Sequence, residues 1–159
     1  MEGLAAVFDK QFVRLHQSLI ALIKVVPVEK LYWQPRVPST GVPVYSCGEQ
    51  ILRSAGIVEQ TFGGITSNLW DDPFEWTLPE TLGDADRVAD YLTEVESTRK
   101  QGFELFDSDA VLMKKIVVPS GEARMIYDVL LDTLVRASHY QGRAFATFRL
   151  FSDVHIPGI

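Results

Sequence analysis

The segment IYDVLLDTLVRASHYQGRAFATFRLF, Ile126 to Phe151, decides the fold. Its apolar and small residues fall at Ile126, Leu130, Thr133, Ala137, Tyr140, Ala144, Thr147 and Phe151. Alternating steps of four and three, sustained for about seven turns, trace one face of a long helix. A stripe of that length must be buried against other helices. Leu4, Phe8, Phe12, Leu15, Leu19, Leu22 and Val26 repeat the pattern, and Pro27 ends it. Ser46-Cys47-Gly48-Glu49 has the spacing of a capping box. It opens a helix whose inner face carries Cys47, Ile51, Ser54, Ala55, Val58, Phe62 and Ile65 and which fades by Asn68. Another helix fits Asp84 to Phe106, with Asp84 and Asp86 where a helix N-terminus favours negative charge. Between Lys115 and Arg124, β-branched residues meet Pro119 and Gly121, which predicts a short hairpin before the last helix.

Two long inter-helix loops complete the chain. The first holds Pro27, Pro35, Pro38 and Pro43 with Tyr32, Trp33 and Tyr45; the second, Trp70 to Gly83, holds Pro73, Phe74, Trp76 and Pro79. Both read as aromatic-anchored connections. Four amphipathic segments with almost no strand predict an all-α fold, a four-helix bundle, with residues 1–159 as one domain.

Composition narrows the function classes. Fifteen basic and 21 acidic residues give a net charge of −6, and no basic run stands out, so a phosphate backbone finds no matching face and no nucleic-acid partner is expected. No apolar run approaches the ~18 residues of a membrane span, so no membrane association is expected either. The N-terminus carries acids early and lacks a signal-peptide core, so the expected compartment is the cytoplasm. A single cysteine, Cys47, excludes an intramolecular disulfide, and His16, His139 and His155 are the only histidines.

Trp33-Gln34-Pro35, Ser46-x-x-Glu49, Val118-Pro119-Ser120-Gly121 and the last-helix string Ser138-His139-Tyr140-Gln141-Gly142-Arg143 with Thr147-Phe148-Arg149-Leu150 occur in that order along the chain. In this it resembles the DinB/YfiT-like superfamily of four-helix bundles over essentially its whole length. Members of that family commonly hold a divalent metal, zinc or nickel, with three histidines: one about eight residues after the cap of the second helix, and an H-x-x-x-H pair on the last. The resemblance puts those positions at Ser54, Arg136 and Tyr140, none of them histidine. Arginine has no acceptor and stays protonated, and serine and tyrosine are weak ligands. No metal and no cofactor are therefore expected.

The expected function is a binding or interaction protein with a degenerate metal site, homodimeric as the resemblance implies. Its candidate ligand-binding residues are Ser54, Arg136, Tyr140, His139 and His16. Arg136 would hold a small anionic ligand in fork geometry, with the Ser54 and Tyr140 hydroxyls adding hydrogen bonds. Alternatively Arg136 pairs internally, with Asp132 one turn earlier or with Glu59 across the bundle. The rival class is a metal- or thiol-dependent transferase or hydrolase whose site is rebuilt around His16 or His139. Cys47, in the first turn of its helix, is open to two readings: a thiolate favoured by the helix N-terminus, or a packed, inert thiol.

Overall fold

A computed structural model describes residues 3–36, 39–73, 77–79 and 81–156. Of the expected loop anchors, Pro38, Phe74 and Trp76 lie outside them. The elements, in chain order, are α1 (Leu4–Ile23), a 3-10 turn (Val28–Lys30), α2 (Cys47–Ser67), α3 (Ala85–Glu104), the one-turn α4 (Asp109–Leu112), β1 (Lys115–Val117), β2 (Ala123–Met125) and α5 (Ile126–Phe148). Among the described residues the chain is all-α apart from the two-stranded hairpin. Among the described residues, no helix is long and apolar enough to cross a membrane.

Local chemistry sets each boundary. At α2 the Ser46 hydroxyl accepts the Glu49 N–H while the Glu49 carboxylate accepts the Ser46 N–H at 2.8 Å, the reciprocal cap its spacing predicts. Asn68, left-handed at φ 52°, closes the same helix. Asp84 caps α3 by accepting the Arg87 N–H at 2.8 Å, so this acid stands just outside the helix. Helix α1 has no side-chain cap from its own first turn. Asp109 supplies one from a distant part of the chain: its carboxylate accepts the Leu4 N–H at 2.7 Å and the Ala5 N–H at 3.0 Å. Those backbone bonds hold the Asp109 carboxyl below its ordinary value. At its other end α5 tightens into i→i+3 bonds, Leu150 to Thr147 and Phe151 to Phe148, so the helix stops three residues before its apolar period does.

The hairpin pairs Lys115 with Met125, Ile116 with Arg124 and Val117 with Ala123. Gly121 sits in its turn at φ 87°, a conformation that side chains avoid.

Helix α2 packs most extensively on α5 and next on α3, while α1 packs on α3 and α5. Phe12 and Phe62 meet edge to face in the core with ring centroids 5.3 Å apart, and Phe103 tilts against both. Gly102 makes room for Phe62: a Cβ there would lie 2.5 Å from the ring. The loops are anchored as well. Leu31 is buried, Trp33 and Phe151 meet in a T-shaped pair, and the Tyr32 hydroxyl donates to the Leu82 carbonyl at 2.6 Å, tying the two long connections together.

Candidate functional site

Of the positions singled out in sequence, Cys47 and Ser54 lie on the interface of α2 with α5 and His16 on that of α1 with α3, while Arg136 and His139 are exposed on α5. Along the first, small side chains allow close approach and polar groups face one another. Ala137 and Ala144 are fully buried. The Cys47 thiol donates to the Ala144 carbonyl at 3.5 Å, Gln50 Nε2 to Thr147 Oγ1 at 3.1 Å, and Ser54 Oγ to the Ala137 carbonyl at 2.8 Å. Further along, Thr133 donates its hydroxyl proton to the Val129 carbonyl, so Thr61 must donate to Thr133 across their 2.7 Å contact. Residues 47, 54 and 61 recur at seven, the spacing that keeps one helix face against a neighbour.

This seam decides how the expected ligand residues are used. Ser54 is fully buried and its proton is spent on Ala137. Tyr140 is half-buried and packed against the core, with the Arg143 guanidinium 5.9 Å from its ring centre. Arg136 is exposed, and its guanidinium lies 3.9 Å from the Asp132 carboxylate, the internal pair one turn away. Glu59, the other candidate partner, accepts instead from the Tyr91 hydroxyl at 2.5 Å. Burial first, then the nearby Glu94 charge, raises the Glu59 pKa against the lowering effect of that bond. His139 is exposed, its ring roughly perpendicular to that of Tyr140 with centroids 5.9 Å apart. Arg136, His139 and Tyr140 are thus neighbours on α5, while Ser54 belongs to the seam. The set does not fit a metal, because a hydroxyl committed to a carbonyl, a guanidinium and a phenol offer a cation almost no donor strength. Among the described residues, no group of three or more His, Cys, Asp or Glu side chains could hold a metal ion.

Cys47 is fully buried, and burial pushes its thiol up to about 12. Desolvation outweighs the helix N-terminus, and the thiol is a packing residue.

His16 belongs to the second interface. It is half-buried and lines a small cavity of about 20 Å³ with Leu92, Val95, Glu96 and Arg99, room for about one water molecule. Arg99, only 2% exposed, is the largest fully buried side chain. Its Nε and Nη2 donate to the two Glu96 oxygens at 2.7 and 2.9 Å, and Nη1 donates to Asp9. Burial opposes the charge on Arg99, but the bonds from Glu96 and Asp9 outweigh it and hold the guanidinium above its ordinary value. The cluster is readable in retrospect. Val88, Leu92, Val95, Gly102 and Phe106 keep helical steps of three and four only if Arg99 takes the position between Val95 and Gly102.

Burial lowers the His16 pKa below 6.5; Glu96 works against this, and Arg99 and Lys100 work with it. A histidine depressed in the folded state binds its proton more readily once unfolded, so stability rises with pH across this window. Stability is therefore expected to fall as pH drops below about 6.5 towards the folded-state value, and His16→Gln should flatten that slope. Urea unfolding at a series of pH values from 5 to 7.5 measures it; parallel slopes for the two proteins would mean that His16 is not the group.

Comparison of the chain with protein-family models, with curated proteins and with solved structures found no match.

Proposed function

We propose that this chain is a DinB-like four-helix bundle acting in the cytoplasm as a binding or interaction protein, self-associating as a homodimer and working without the family's metal centre. The observation that carries the reading is the chemistry at Ser54, Arg136 and Tyr140. The first hydroxyl is committed to the Ala137 carbonyl and the guanidinium lies beside Asp132, so the donors a thiolate-activating metal would need are absent from those positions. The net charge of −6 supports a partner other than nucleic acid.

A small anion would meet this protein at the α5 surface, where Arg136 and Arg143 flank Tyr140. There the guanidinium must exchange Asp132 for the ligand. Titration with phosphate and with acetate, followed through the arginine side-chain resonances, tests this: shifts confined to Arg136 and Arg143 support it, and none at millimolar ligand removes it. The enzymatic alternative needs His16 or His139. His139 is exposed and His16 stands beside Arg99, whose charge disfavours a cation. Elemental analysis of protein purified without chelator separates the classes. Metal well below one equivalent is expected, and stoichiometric zinc, nickel or iron would overturn the reading.

A further inference from the structure

The outer face of α5 carries a feature that the monomer does not explain. Gly48, Gly64 and Gly102 each abut a neighbour that a Cβ would strike, whereas nothing lies within 4 Å of the Cβ that Gly142 lacks. An exposed glycine inside a helix costs stability without return unless something approaches it. On the same face Leu131 and Val135 are 52% and 62% exposed, and Ser138 and Ala146 are exposed as well. These residues follow one another at steps of three and four, so they share one stripe. Its large side chains lie in the N-terminal half and its small ones in the C-terminal half.

We propose that this stripe is a self-complementary interface on which a second copy of the chain docks, α5 against α5 in antiparallel orientation about a two-fold axis near Ser138 and His139. An isologous contact places each residue opposite its counterpart reflected through the axis. With the axis there, Val135 meets the partner's Gly142, Leu131 meets the partner's Ala146, and Ser138 lies beside the partner's His139. Bulk therefore enters space at both ends, and the contact places apolar area against apolar area.

The charges follow the same reflection. Asp128 falls opposite the partner's Arg149. Asp132 reaches the partner's Arg143, about two residues or ~3 Å along the axis, on the flank that antiparallel helices present to each other. Within one chain Asp128 already accepts from Arg124 Nε through one carboxylate oxygen at 2.7 Å, leaving the other for the partner's arginine, and the remaining groups are less committed. Asp132 lies 3.9 Å from both Arg124 and Arg136, longer than a hydrogen bond, and Arg149 gives one N–H to the Val154 carbonyl. An α5 stacked parallel on its copy would set Asp132 against Asp132 and Val135 against Val135, so charge and size both select the antiparallel arrangement. A groove of about 550 Å³ between α1 and α5, with Gln11, Arg14 and Ser18 along its α1 side, runs beside the stripe and provides a polar rim.

The inference rests on the self-association part of the proposed function, and the experiment separates the two. Sedimentation of the full chain is expected to show a dimer that Gly142→Arg converts to monomer while the helical signal and thermal unfolding remain those of a folded chain, because the added side chain meets open space in the monomer. Ser138→Cys should cross-link to itself with a short bismaleimide, and Ser97→Cys on the exposed face of α3 should not; the buried Cys47 contributes no background. A wild-type chain that stays monomeric at high micromolar concentration overturns both the interface and the homodimer reading. A dimer that withstands Gly142→Arg and does not cross-link through position 138 overturns this interface alone.

Discussion

Arg99→Ala is expected to lower the free energy of unfolding by about 3–5 kcal/mol, among the largest single effects in the molecule. The substitution removes more than contacts. Glu96, whose side chain is 10% exposed, would keep its charge in the interior after losing both guanidinium bonds, an uncompensated cost. Asp9 is 46% exposed and turns to water at little cost, so the penalty concentrates on Glu96. The guanidinium also lies 5.2 Å from the Phe103 ring centre, a packing contact that alanine forfeits. Because a buried ion pair contributes little net stability, removing both charges together should be far milder. Arg99→Met combined with Glu96→Leu is expected to recover most of the loss. Chemical denaturation of the three proteins makes the comparison, and a single variant costing under about 1 kcal/mol would mean that Glu96 stays hydrated.

Phe62→Ala is the second large effect, expected at about 3–5 kcal/mol by lost transfer energy and the cavity left among rigid neighbours. Phe62 is fully buried and touches the Phe12 and Phe103 rings, so no single neighbour can collapse into the space. The sharper prediction concerns its partner. Gly102→Ala alone should destabilise by about 1–3 kcal/mol, because its Cβ would press on a ring that has nowhere to go. In the Phe62→Ala background the same methyl enters empty space and adds helix propensity, so there it should be neutral or stabilising. The two substitutions form a double-mutant cycle whose coupling energy is the measure. Additive effects would show that the glycine is not cut to fit the ring.

The sequence carried the helices further than it carried the site. The apolar periods of Leu4 to Val26 and Ile126 to Phe151, the Ser46 to Glu49 box and the Pro119 to Gly121 turn are local patterns, each fixed by residues a few positions apart, and each marks an element in the structure. The misfits are small and physical. The period of α5 runs through Phe151 because that residue still packs inward, although the backbone has already tightened into i→i+3 turns. Helix α1 stops at Ile23 while Val26 remains buried, for the reason that proline follows.

The site was legible only in its residue types. That Arg136 would turn outward to Asp132, and that Ser54 would spend its proton on Ala137, depends on which faces α2 and α5 present to each other, a matter of tertiary packing. Arg99 could have been found from its place in the α3 stripe, but a charged residue on an apolar period gives no hint of Asp9, ninety positions earlier. The Asp109 cap on α1 is equally remote.

The polar seam between α2 and α5 also bears on how the chain reaches this structure. Its hydrogen bonds join residues between 72 and 97 positions apart. Helical proteins usually fold fast because their contacts are local. Here the most extensive helix pair forms only after a long stretch of chain has been looped out, an entropic cost that no single helix repays on its own. The folding rate is therefore expected to lie below those of bundles whose consecutive helices simply zip together.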